Sequence, residues 1–170
     1  METFAASLIK QQQYNFKMEN HSNQIAKHFK QVFFGGNWTS VDFATTLKDV
    51  DWKMATAKVK DLNTIARLVF HVDYYIDVTL KVLQGGPLDA HDKFSFDCPE
   101  INNETDWQQL KNKLFSDAEL YVSLVEQLPE SKLSEVFCLE KYGNYYRNIH
   151  GLIEHSHYHL GQIVLIKKLV

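Results

Sequence analysis

Two glycine doublets, Gly35-Gly36 and Gly85-Gly86 (the second followed at once by Pro87), close two long stretches in which apolar residues return at helical spacing. In the first, Ile9, Phe16, Ile25, Phe29, Val32 and Phe33 recur this way and predict a helix from about Thr3 to Phe34. The second predicts a helix from about Trp52 to Gln84, ended by the Gly-Gly-Pro stop. A chain that commits so much of its length to uninterrupted helical periodicity leaves little for a sheet. Its seven Gly and three Pro are also too few for the turns of an all-β fold.

The rest of the chain reads in the same terms. Asn37 to Val50 is a connecting loop with a short turn of helix, and Trp38 is its expected anchor. Leu88 to Asn103 is polar and irregular, with Pro99 inside, and reads as a long crossover. Thr105-Asp106-Trp107-Gln108 has the form of a capping box with Thr105 at the N-cap, so a third helix follows to about Leu128. Pro129 opens a short helix through Phe137, Cys138 to Gly143 is a loop, and a fourth long helix runs from Asn144 to about Leu169. The expected fold is all-α: a four-helix bundle with a long crossover between helices 2 and 3, a single domain over residues 1–170.

Charge and composition narrow the function classes. The net charge is −3 and no Lys- or Arg-rich block occurs, so the concentrated basic face that nucleic acid requires is missing. No segment is long and apolar enough for a membrane span, and Met1 to Gln13 lacks the apolar run of an export signal. Cys98 and Cys138 stand in no ligand spacing and are expected to be reduced thiols, which fits a cytoplasmic protein. The second helix carries a further apolar stripe (Ile65, Val69, Ile76, Leu80), and so does the last (Ile149, Ile153, Leu160, Val164). Burial on two sides is met either by the chain's other helices or by a second copy in a homodimer.

Eight histidines are the compositional oddity, and three of them, His155, His157 and His159, fall within five residues. On a helical wheel His159 lies about 40° from His155, with Asn148 and Gln162 each about 20° from it, while His157 points to the opposite face. Two imidazoles at i and i+4 suit one divalent ion. The Glu that follows the first His in zinc peptidases is absent here, which excludes that chemistry. A third ligand must come from another helix, and His71, mid-helix among apolar and aromatic neighbours, is the candidate; if buried it needs a partner, and ligation supplies one. Arg67, Tyr75, Asn148 and Gln162 share faces with these histidines and are the expected pocket lining, Arg67 and Tyr75 meeting an anionic substrate, Asn148 and Gln162 acting as hydrogen-bond donors or orienting groups.

The run His71-Val72-Asp73-Tyr74-Tyr75, followed by His155-Ser156-His157-Tyr158-His159-Leu160-Gly161-Gln162-Ile163, resembles the DinB-like family. The Gly36-Asn37-Trp38-Thr39 loop and the run Glu140 to Asn148 are similar to one uncharacterised branch of it, and the likeness spans nearly the whole chain. The resemblance implies a four-helix bundle with a three-histidine site for one divalent metal ion, nickel or zinc, which maps onto His71, His155 and His159. It also implies a relationship to thiol-dependent enzymes, bacillithiol transferases and mycothiol-dependent maleylpyruvate isomerase among them. The expected activity is therefore a metal-dependent thiol S-transferase acting on small molecules with a low-molecular-weight thiol. A metal-dependent hydrolase, or a non-catalytic stress-associated protein with a structural or vestigial site, are the alternatives.

Overall fold

Six short polar side chains set where the helices begin. Asn20, Asp42, Asp51, Thr64, Asn103 and Asn144 each place a side-chain oxygen on a backbone N–H of the turn that follows. Those N–H groups would otherwise lack a partner inside the helix. In the computed structural model, which describes residues 20–170, the helices are α1 (His21–Phe34), α2 (Phe43–Leu47), α3 (Trp52–Thr56), α4 (Ile65–Leu83), α5 (Glu104–Glu126) and α6 (Tyr145–Lys167). Short 3₁₀ turns at Asp92–Phe94, Glu130–Ser134 and Glu140–Tyr142 punctuate the connections. Among the described residues there is no strand, only an isolated bridge between Val136 and Asn144. The described chain is all-helical, and none of its helices is long and apolar enough to cross a membrane.

Three boundaries and the place of Trp38 differ from the sequence reading, each for a local reason. The helix expected from Trp52 is two helices. Ala57 leaves α3 in an extended conformation, Lys60 adopts a left-handed φ of 49°, and Thr64 recaps the chain by accepting from the Arg67 N–H. The third long helix starts at Glu104, so Thr105 is inside it and the cap is Asn103. Asn103 accepts from the Asp106 N–H, and the Asp106 carboxylate accepts in return from the Asn102 N–H. Among the described residues the first helix begins at His21, where the Asn20 side chain caps it, and the expected stretch from Thr3 up to position 19 lies outside them. Trp38 anchors nothing: its side chain is 100% exposed. The loop is held instead by Asn37, whose amide donates to Gln31 O and Val41 O. Gly35 turns the chain out of α1 at φ 97°, a conformation a Cβ would strain.

α4 packs against α5 and α6, and α1 packs against the same two helices from the other side. Between them lies one apolar core. Phe29 meets Tyr121 at 4.5 Å, Phe33 stacks on Phe43 at 4.8 Å, and Trp107 is fully enclosed with its indole N–H donating to Val50 O at 2.7 Å. Within the chain Ile65, Val69, Ile76 and Leu80 are buried, as are Ile149, Ile153 and Leu160, while Val164 at the end of the last-helix stripe is half-buried. Asp73 is buried beside this core and its carboxylate accepts from Lys113 at 2.8 Å.

Candidate metal centre

α4 contributes a stripe at four-residue spacing, His71, Tyr75 and Thr79, and α6 contributes Arg147, Gly151, His155 and His159 at the same spacing. His71 lies beside His155 and His159, while Thr79 faces the part of α6 around Arg147 and Gly151. The two helices therefore run antiparallel along this seam, and the three imidazoles gather at one end of it. Their candidate ligand nitrogens all lie within 4.8 Å of one another. His71 Nε2 and His155 Nε2 are 3.0 Å apart, and the ring centroids of His71 and His159 are 4.6 Å apart. Tetrahedral ligands at zinc–nitrogen bond lengths stand about 3.3 Å from one another.

The partners of the outer nitrogens decide what the inner ones offer. His71 Nδ1 is 3.2 Å from Ser95 O, and a carbonyl only accepts, so the ring carries its proton there and turns the Nε2 lone pair inward. His159 Nδ1 donates to Gln162 Oε1 at 2.7 Å, which likewise frees Nε2. Metal-ligating histidines are held by such outer partners as a rule. With His71 Nε2 a lone pair, His155 Nε2–H donates to it, and His155 Nδ1 is buried with no hydrogen-bond partner. The nitrogen His155 turns into the cluster is thus Nε2, and its Nδ1 on the outer side lacks the partner that Ser95 O and Gln162 give the other two rings.

Electrostatics keep the rings neutral, as ligation requires. Burial pushes His71 down to about 4, helped by the neighbouring His159, and burial with His159 and His71 nearby does the same to His155, also to about 4. His159 is lowered by burial, with the Gln162 bond opposing. These three residues could hold a metal ion, and among the described residues the cluster contains imidazoles alone.

The crossover after α4 folds over this cluster. Phe96 stacks face to face on His71, centroids 3.8 Å apart and 9° from parallel, and shields that ring from water. Tyr75 presents its edge to His71 and His155 and donates its hydroxyl to Asp92 at 2.9 Å. Ser95, Phe96 and Asp92 were not anticipated from the sequence. An irregular loop has no periodicity to place a residue, and the only hint was a pair of phenylalanines in a polar stretch.

Of the expected lining residues, Gln162 orients His159 and Tyr75 touches two of the three rings. Asn148 lines an adjoining pocket, but its amide already donates to Tyr142 O and Asn144 O. Arg67 reaches the site only through Phe96, donating to its carbonyl at 3.4 Å with the guanidinium 5.7 Å from its ring. His157 lies on the other face of α6, 6.3 Å from His28. No family model matches the chain, and neither the curated proteins nor the solved structures that were compared with it yield a match.

Proposed function

We propose that this protein holds one divalent cation, nickel or zinc, between His71, His155 and His159. In this reading residues 1–170 form a single DinB-like domain, a four-helix bundle with its crossover between the second and third long helices. The observation that carries the proposal is the convergence of three neutral imidazoles from two helices. Two of them are fixed by an outer acceptor, and the third sets its Nε2 3.0 Å from His71 Nε2.

Three protein ligands leave a coordination position open, where structural sites use four. An ion held by these residues would supply Lewis-acid chemistry, lowering the pKa of a low-molecular-weight thiol toward neutral pH. The chain's residues do the rest. Gln162 and the Ser95 carbonyl hold two rings in register, and Phe96 keeps water off His71. A thiolate needs no further base, which favours S-transfer to a small electrophile over hydrolysis. Asp92, the carboxylate that reaches the site through Tyr75, is occupied with the Tyr75 hydroxyl. In the cytoplasm, where we place the protein, such thiols are plentiful. With most of both apolar stripes buried within the chain, a homodimer would draw on other surface as well, and sedimentation velocity reads whether one forms.

Tag-free protein analysed for metal tests the site. The proposal expects close to one ion per chain and loss of that ion in the triple substitution His71→Ala, His155→Ala, His159→Ala. Metal-loaded protein should also consume a thiol and an electrophilic acceptor together, and chelation should stop it. Metal-free protein that cannot be loaded would sink the site. Loaded protein without turnover would leave a structural or vestigial ion as the function.

A further inference from the structure

Beyond the histidine cluster the seam between α4 and α6 opens into a pocket of about 270 Å³, just below the usual range of ligand sites and so sized for a small molecule. His155 forms one end and Arg147 the other, with Gly151 midway on the same stripe of α6, and Tyr75 and Thr79 opposite. Eight residues of helix separate Arg147 from His155, roughly 12 Å along the axis.

Three observations say what this space is shaped to take. First, Arg147 is the one charged residue lining the pocket, and among the described residues its guanidinium has no acidic partner. Second, the Arg147 side chain lies back over Gly143 (φ 79°), at the end of the pocket away from Gly151, and a Cβ there would sit 2.9 Å from Arg147 Cδ. Third, the pocket's middle is clear, because a Cβ on Gly151 would meet nothing within 4 Å, and its walls there are the apolar Leu152 and the Tyr75 ring. Asn148 has spent its donors on backbone carbonyls, so Arg147 is the group that offers hydrogen bonds to an anion. One guanidinium matches one carboxylate, fork to fork, and a dianionic phosphate would call for a second cation.

We propose that this pocket binds a small monocarboxylic acid lengthwise, its carboxylate on Arg147, its apolar body over Gly151, and its far end at the histidine cluster. The identity of the far end rests on the metal reading above; the carboxylate end does not.

The test titrates hexanoate and hexanol into metal-free and zinc-loaded protein, following backbone amides by NMR. Hexanoate should bind at least about tenfold more tightly than hexanol in both forms, since a charge-assisted pair is the difference between them. Arg147→Gln should reduce hexanoate to the affinity of hexanol with zinc content unchanged. Gly151→Leu, which fills open space and suits a helix, should remove both ligands with zinc content unchanged. Mercaptohexanoate adds a metal-ligating thiol at the far end and should gain about tenfold or more on zinc loading, whereas hexanoate should not. Equal affinities for acid and alcohol, a preference that survives Arg147→Gln, or no binding at all would overturn the carboxylate site. A thiol acid that gains nothing from bound zinc would overturn the lengthwise placement. Failure of zinc to bind would refute the metal reading alone, and the hexanoate preference in metal-free protein would still decide the pocket.

Discussion

Gln162 is the residue through which the metal reading is most sharply exposed to test. Its Oε1 accepts from His159 Nδ1 at 2.7 Å, and the His159 side chain is only 7% exposed, so water cannot readily replace the amide. Gln162→Leu removes the acceptor while keeping length and helix propensity. The ring then either buries an unpaired N–H, at about 1–3 kcal/mol, or turns to find another partner and takes Nε2 away from the cluster. Loss of such an orienting partner weakens metal binding by about 10–100-fold, or roughly 1.4–2.7 kcal/mol. At a fixed excess of metal the same amount disappears from the metal-linked stability. For a chain of this length that shrinks the metal-induced rise in Tm by roughly 3–10 °C. Competition with a chromophoric chelator gives the affinity, and thermal melts with and without metal give the stability increment. Gln162→Glu supplies a carboxylate acceptor for the same proton and should bind metal at least as tightly as the parent. If Gln162→Leu keeps its helical signal and binds metal within about twofold of the parent, the orienting role is refuted.

Three further outcomes follow from the same structure. Chelation should lower Tm yet leave the helical circular-dichroism signal in place at room temperature, because the core that holds α1, α4, α5 and α6 together is apolar and independent of the histidines; collapse of that signal would instead mark a structural ion. Trp107→Phe leaves Val50 O without its donor inside a fully enclosed site and should cost roughly 2–4 kcal/mol in urea unfolding, with a loss under about 1 kcal/mol contradicting the burial argument. Burial raises the Cys98 thiol from 9.0 to about 11, so near pH 8 it keeps its proton and holds on the order of 100-fold less thiolate than an ordinary cysteine. Alkylation by iodoacetamide, followed by mass spectrometry, should be slowed by about that factor and recover in denaturant; parent-like speed in the folded state would count against the buried setting.

The all-helical character and the candidate ligands were legible before any coordinates, and the reason is local. Helical periodicity, glycine stops and i, i+4 spacing are properties of contiguous residues, so the stripe carrying His155 and His159 and the opposite placement of His157 follow from 3.6 residues per turn. His71 stands out in the sequence only as a histidine among apolar and aromatic neighbours, and packing of α4 against α6 is what makes the three a cluster. The break at Lys60 and Thr64 escaped notice because apolar spacing continues across it. A cap is decided by whether a side-chain oxygen or the next turn of helix captures the backbone N–H, and the apolar pattern is silent on that choice.

What the residues alone could not say concerns groups that meet across sequence. Arg67 lay on the right helical face to greet an anion, yet the crossover sets Phe96 against its guanidinium, and the guanidinium that lines the pocket without an acidic partner among the described residues belongs to Arg147. Ser95 acts through its carbonyl, which every residue possesses, so no side-chain pattern could have singled it out. Helices are written by short-range rules, and their stripes can be read off the chain. Which loop covers which ring, and which cation is left without a partner, is settled only when the helices dock and the connections find their place on them.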